Sequence, residues 1–367
     1  VKWFLKVIEA VRPTFEEGGK LRILNPVFGA LEHFFFAPST TTIRAPHVRD
    51  PLDLKRLMSM VIISVVPCVL AAFYFFGLRF LAMVIVSYAA GLTVEAVFAM
   101  VRKEGINEGF FVTGILWPLI LPPNLPLWMV ALGVAFGVFI GKELFGGTGR
   151  NVFNPALVGR CFLSLAYPKT MAESWVEPSH DLVGALTGWI RPSLDAVSGA
   201  TPLALAKQGQ MASISHMFLG SVPGSAGETS AILIILGGVF LLLTRVASWR
   251  TVVTILGSFV ILTGALVAGG AVRCPMPGVF GPVMWHLFAG GLLFGAFYMA
   301  TDPVTSPTTN AGKWFYGIVV GSTTVLIRNF TGYVEGVTFA ILLGNIVAPI
   351  FDEIVIGIRI RRLKREG

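Results

Sequence analysis

The run Asp195-Ala196-Val197-Ser198-Gly199-Ala200-Thr201-Pro202-Leu203 ends a stretch of small residues on a threonine hydroxyl set directly before a proline. A hydroxyl is a point of covalent attachment once something activates or attacks it. Gly199 and Ala200 carry so little side chain that another protein's active site can approach the backbone, while Asp195 and Ser198 supply a carboxylate and a second hydroxyl. The plain alternative is a turn rich in small residues. A second candidate is the run from Phe145 to Pro155. Gly146, Gly147 and Gly149 permit close backbone approach, and the side-chain amides of Asn151 and Asn154 offer both donors and acceptors, suited to the edge of a flat heteroaromatic ring. Asn154-Pro155 also reads as a helix start, with Asn154 as its cap. No Gly-Lys-Ser/Thr follows the glycines, so the run is not a P-loop.

Acidic residues in or beside apolar segments are Glu95, Glu143, Asp302, Glu335 and Asp352. A carboxylate held in a bilayer is costly and is a functional candidate for that reason. Glu95 falls well inside an apolar run, where pairing with a Lys or Arg is the ordinary explanation. Asp302-Pro303 closes another run, where freed helix carbonyls can join the carboxylate around a cation, or the pair is a helix-end turn. The cysteines Cys68, Cys161 and Cys274 form no Cys-x-x-Cys pair, which argues against a zinc or iron–sulfur site built from this chain alone.

The elements that hold these residues are set by composition. Of 367 residues, 54% are hydrophobic and 13% charged, about half the charged share of an ordinary soluble domain. Too little polar surface remains to coat a water-soluble globule, so the chain is an all-α integral membrane protein. Ten apolar segments are expected: 57–77, 80–100, 109–121, 126–141, 154–167, 227–244, 251–268, 286–301, 313–327 and 333–351. Five lie in a first half, 57–168, and five in a second, 227–351. A polar loop, 169–226, carries Thr201 between them. Residues 1–56 read as an amphipathic, aromatic leader with a surface helix over 1–11 and a second over 28–36, and 352–367 as a basic tail. The mixed charges of the first residues do not suit a cleavable signal. The third segment of each half is short, aromatic and stopped by proline, which points to two inverted repeats with broken helices.

The net charge of +8 is not a nucleic-acid signature. With the leader inside, 21 of the 28 Lys and Arg fall in inner loops and tails, 6 fall in outer loops, and Arg160 lies in a membrane segment. By the positive-inside rule both termini are cytoplasmic and the 169–226 loop faces outward.

The Asp195–Thr201 string resembles the D-x-x-S/T-G-A-T signal at which a flavin transferase, acting on the outer side, joins FMN through its phosphate to the threonine. His47-Val48-Arg49-Asp50, Asp53-Leu54-Lys55-Arg56, the Phe145–Pro155 loop and Met299-Ala300-Thr301-Asp302-Pro303 extend the likeness to nearly the whole chain. Together they resemble the NqrB family, membrane subunits of bacterial Na+-translocating NADH:quinone oxidoreductases. The RnfD subunits of Rnf complexes are similar but lack so long a leader.

The resemblance implies ten helices in two inverted five-helix repeats, covalent FMN on Thr201 and non-covalent riboflavin at Asn151, Asn154, Gly146 and Gly147. It also implies quinone reduction near the inner face and Na+ uptake through Glu95, Asp302 and Asp352. Gly91 matches a position associated with quinone, although Leu92 departs from the family's paired glycines. Phe28 and Phe34 of the leader suit an apolar quinone pocket or, equally, a membrane anchor. The chain has no dinucleotide fingerprint, so an NADH-oxidising flavoprotein partner is implied, within a complex in the bacterial inner membrane. A channel or transporter without redox activity is the alternative from another class.

Overall fold

A computed structural model describes residues 11–15, 19, 28, 54–103, 109–179, 201–207, 212–220, 222–272, 276, 278–331, 333 and 336–366. Those residues form helices and turns, with no strand among them. Helix α1 (Leu54–Arg102) is followed by α2 (Gly109–Leu119), α3 (Leu127–Gly141), α4 (Pro155–Ala166) and the short α5 (Pro168–Glu173). The connecting region contributes α6 (Pro202–Lys207) and α7 (Ile214–Leu219). The second half contains α8 (Ala231–Leu243), α9 (Trp249–Ala268), α10 (Phe280–Phe288), α11 (Leu292–Met299), α12 (Asn310–Phe330) and α13 (Val337–Glu366).

Apolar side chains cover the outside and polar ones sit inside. Leu70, Ile85, Leu243 and Ile261 are largely exposed, whereas Ser87, Thr251, Thr263, Thr324 and Asn345 are fully buried. That arrangement suits a surrounding of lipid, where an apolar surface carries no penalty and polar side chains are kept off the lipid face. Along the second arm of α1 the buried residues Phe80, Met83, Ser87, Gly91, Glu95 and Ala99 recur every three or four positions, which marks one helix face turned inward.

Among the described residues four helices are long and apolar enough to cross a membrane, and five if the bent pair α10–α11 is one span. One of the four covers 47 residues, Arg56–Arg102, more than twice what a bilayer requires. Gly77 interrupts it with φ 61° and ψ −143°, which glycine tolerates without steric cost. Leu57 and Met58 line the same cavity as Lys142, and Lys142 is bonded to Glu95. The two ends of α1 therefore meet at one end of the molecule, and Gly77 is where the chain turns back between the first and second expected segments.

Several expected boundaries shift. The first helix begins at Leu54, inside the expected leader, because no breaker separates 54 from 57. The basic tail is not a separate unit. α13 runs unbroken from Val337 to Glu366 through Pro349, since nothing beyond residue 351 terminates it. The eighth segment is two helices bent by 67° around Ala289-Gly290-Gly291, and it starts six residues early, at Phe280. Arg328, expected in an outer loop, lies inside α12 and is buried. The expected leader helices fall outside the described residues, except for a 3-10 turn at Arg12–Thr14 and Phe28, which stacks on Phe15 at 4.6 Å.

Glycines allow a close crossing of α3 and α4. Gly133, Gly137 and Gly141 recur every fourth residue on α3 and face α4, the small-residue spacing that lets helix backbones approach in membranes. A Cβ at Gly137 collides with the Pro155 carbonyl and lies 3.0 Å from the Gly159 nitrogen, both backbone atoms that cannot move aside. We expect Gly137→Val to cost about 1–3 kcal/mol or more, read as a lowered thermal midpoint of the detergent-purified chain. Gly257→Val, where a Cβ meets nothing within 4 Å, is expected to leave the midpoint unchanged.

Candidate functional site

Two concave sites lie at the two ends of α11. The larger is a cavity of about 70 Å³ at its C-terminal end. Leu57, Met58, Val61, Val112, Leu116 and Tyr298 give it apolar walls, while Lys142, Thr148, Asn151, Asn154, Thr301 and Asp302 converge as its polar lining. This mixture of apolar wall and few placed polar groups is the usual make-up of a ligand pocket.

Each polar group has a local reason for its position. Asn154 caps α4, its Oδ1 accepting from the Ala156 N–H at 3.0 Å, so the capping role expected of Asn-Pro is present. Its Nδ2 points across to Asp302 Oδ2 at 3.5 Å. Asn151 accepts from the Gly149 N–H at 3.2 Å and donates to the Phe153 carbonyl at 3.0 Å, which closes the loop on itself. Gly146, Gly147 and Gly149 all have positive φ, so the turn needs glycine at each. Asp302 accepts from the Val304 N–H and the Thr305 hydroxyl, both at 3.1 Å, the geometry of a helix-end turn.

Two further acids are committed to partners. Glu95 and Lys142 form a buried ion pair, and Arg102 bonds Glu143 at 2.7 Å beside it. Lys142 thus belongs both to the pair and to the cavity. Asp352 is separate from the cavity. It accepts from the N–H and hydroxyl of both Thr308 and Thr309 at 2.5–3.0 Å, tying the start of α12 to α13. Gly91 is also apart, packed against Phe110 and Val134, where a Cβ has no room. Among the described residues no group of three or more His, Cys, Asp or Glu is arranged to hold a metal.

The second site is a small cleft at the break between α10 and α11. Thr201, Leu203, Met217, Glu228, Phe288 and Gly290 line it, with room for about 10 Å³. Thr201 caps α6, its Oγ1 accepting from the Ala204 N–H at 3.3 Å, and Pro202 takes the first helical position. Only 5% of Thr201 is exposed. The sequence suggests a hydroxyl open to another protein, and the fold instead seats it under apolar side chains. Asp195, Ser198, Gly199, Ala200 and Phe34 lie outside the described residues.

Behind the cleft is a charged group that sequence reasoning missed. Glu228 accepts from Arg160 at 3.2 Å and from the Ser225 hydroxyl at 2.6 Å. Arg328 lies against Gly290 and donates to the His286 carbonyl at 2.8 Å. An arginine in an apolar segment was a visible signal at Arg160. Glu228 and Arg328 sat at segment ends, where charge is ordinary.

An apolar-surfaced helical bundle with a concave site at each end of a broken helix is that of a membrane protein of the broken-helix class. The chain belongs to the NQR2, RnfD, RnfE family, which it matches over residues 41–360. It is 39% identical to the NqrB subunit of the Na+-translocating NADH-quinone reductase of Klebsiella pneumoniae strain 342, covering 98% of this chain and 99% of that one. It is also 37% identical to the protein of the same name from Azotobacter vinelandii, over 97% of each chain. With the Yersinia pestis protein of that name the identity is 38% over 98% of each.

Proposed function

We propose that this chain is the NqrB-type membrane subunit of a Na+-translocating NADH:quinone oxidoreductase, carrying FMN covalently on Thr201. Electrons pass from that flavin to riboflavin and on to quinone while Na+ moves outward. The carrying observation is the likeness to NqrB relatives along nearly the full length of both chains, which favours this assignment over an RnfD-type subunit or a transporter without redox activity. An NADH-oxidising flavoprotein and further subunits are its partners, in the bacterial inner membrane. The count of basic residues supports cytoplasmic termini and an outward 169–226 loop.

The larger cavity is the proposed place of the riboflavin ring edge; at about 70 Å³ it is smaller than the roughly 150 Å³ that holds one benzene ring, so the ring enters only as the lining side chains move apart. Its apolar walls match the ring faces, and Asn151, Asn154 and Thr148 match the ring's polar edge. A flavin bound there supplies one- and two-electron transfer, while the protein sets position and electrostatics. Lys142 places a cation at the same lining. The cleft at Thr201, about 10 Å³, is no larger than the space of one water, so an FMN attached through its phosphate lies outside it unless the lining side chains move.

Asp302 is the proposed Na+ contact nearest the flavin cavity, with Glu95 and Asp352 as the other acidic positions of the pathway. Gly91, Phe28 and Phe34 remain the proposed quinone contacts. We expect Asp302→Asn to raise the Na+ concentration for half-maximal quinone reduction at least several-fold, with flavin content unchanged because Thr201 lies at the other end of α11. Titration of turnover against Na+ in wild-type and variant complexes measures it. An unshifted curve removes Asp302 from the pathway and leaves it as the helix-end turn.

A further inference from the structure

The lining of the larger cavity holds a cation and an anion that are not paired with each other. Among the described residues its charged side chains are Lys142 and Asp302. Lys142 closes the C-terminal end of α3 and gives its ammonium to Glu95, on the inward face of α1, with both side chains buried. Among the described residues Glu95 is the one hydrogen-bond partner of that ammonium, and it accepts through Oε1 alone. An ammonium carries three N–H donors and a carboxylate two oxygens, so neither group is used up by this bond. The neighbouring acid is already taken, because Arg102 holds both the carboxylate and the carbonyl of Glu143.

Asp302 is in the opposite position. Its donors are all neutral: the Val304 N–H and the Thr305 hydroxyl at 3.1 Å, and the Asn154 amide at 3.5 Å. The cavity that Lys142 and Asp302 share has about 70 Å³ of space. A water needs about 10–15 Å³, so there is room for several waters. The same room admits a small cation, or the end of a lysine side chain turning on its flexible four-carbon stem.

We propose that Lys142 is a tethered stand-in for the transported ion: its ammonium holds Glu95 until a Na+ displaces it, and the freed ammonium then pairs with Asp302 across the cavity. This deepens, and rests on, the reading of Glu95 and Asp302 as positions of the Na+ pathway. One ammonium serving two carboxylates leaves one of them for one monovalent cation. An ammonium stranded in the interior by the arriving ion is costly, and Asp302 removes that cost by offering it a second carboxylate. The competing role is that the pair of Glu95 and Lys142 is a fixed packing element that no ion enters.

Removing the tether separates the two. The thermal midpoint of the full chain, purified in detergent, is measured against Na+ at constant ionic strength, with choline making up the balance. An ion that binds the folded chain alone raises the midpoint. In the wild type Na+ competes with the ammonium. In Lys142→Met the Glu95 carboxylate has no such competitor, and the Na+ concentration for half of the rise is expected to fall at least tenfold. Adding Glu95→Gln is expected to undo that gain. Lys142→Arg keeps the pair but grips the carboxylate with a planar fork, and is expected to raise the half-point several-fold. It carries the test should Lys142→Met fail to give a monodisperse chain.

Half-points unchanged in both Lys142→Met and Lys142→Arg overturn the proposal, as does a gain in Lys142→Met that survives Glu95→Gln. The underlying reading fails separately. A half-point that Asp302→Asn raises but neither Lys142 variant moves keeps the Na+ pathway and discards the tether. No Na+-dependent rise in any of these chains discards both.

Discussion

Alanine at position 201 is expected to leave the chain inserted in the membrane and wholly without covalent flavin. Only a hydroxyl can form the ester, and Thr201 is the hydroxyl that closes the Asp195–Thr201 string. Intact-protein mass spectrometry reads the result as loss of the entire flavin mass, and in-gel fluorescence as loss of the band. The structure adds a cost to be separated from this. Thr201 also caps α6, so its removal is expected to destabilise that helix by about 1 kcal/mol, too little to prevent insertion. A flavin mass persisting on the Thr201→Ala chain would falsify the assignment. Because the proposed transferase works on the outer face, attachment also reports the orientation of the 169–226 loop. The burial of Thr201 carries a further expectation, that attachment happens before this segment seats in its cleft.

The second large effect is expected at the buried pair of Glu95 and Lys142. The two side chains are 3% and 4% exposed. Removing one partner strands the other charge inside, at a cost of about 3–5 kcal/mol. Glu95→Gln is therefore expected to reduce the yield of folded chain sharply, measured as the monodisperse fraction after detergent extraction. Adding Lys142→Met removes the stranded ammonium and is expected to recover most of that yield. The double variant then isolates the ionic role. If Glu95 is a Na+ contact, the recovered protein still shows a raised Na+ requirement in quinone reduction. A normal requirement makes the pair purely structural. The geometry sets a condition on the ionic role, because a carboxylate held by an ammonium must exchange it before binding Na+. Lys142 also lines the larger cavity, so an alternative position for it lies within reach.

Much of this protein is set by local chemistry, and local chemistry is readable along the chain. Low charge in long apolar runs decided for the membrane, because a helix of about twenty apolar residues needs no tertiary partner to prefer lipid. Asn154-Pro155 decided its own cap, because a cap bonds within three residues of itself. The proline after Asp302 marked a helix end, and the structure has a helix end there.

What the sequence left open depends on groups far apart in it. The partner of Glu95 is Lys142, 47 residues away, and no local pattern names it. Asn154 and Asp302, separated by 148 residues, share one cavity only because α4 packs beside the end of α11. Asp352, grouped with them by chemical type, lies away from that cavity and is bonded by Thr308 and Thr309. Arg328 stood at the edge of an apolar run, where a cation at the lipid boundary is unremarkable. Only the packing of α12 against the break between α10 and α11 buries it and brings it beside the Thr201 cleft. Helix and cap are settled within a few residues, whereas charge pairing and burial are properties of helices meeting, and those meetings exist only in the folded bundle.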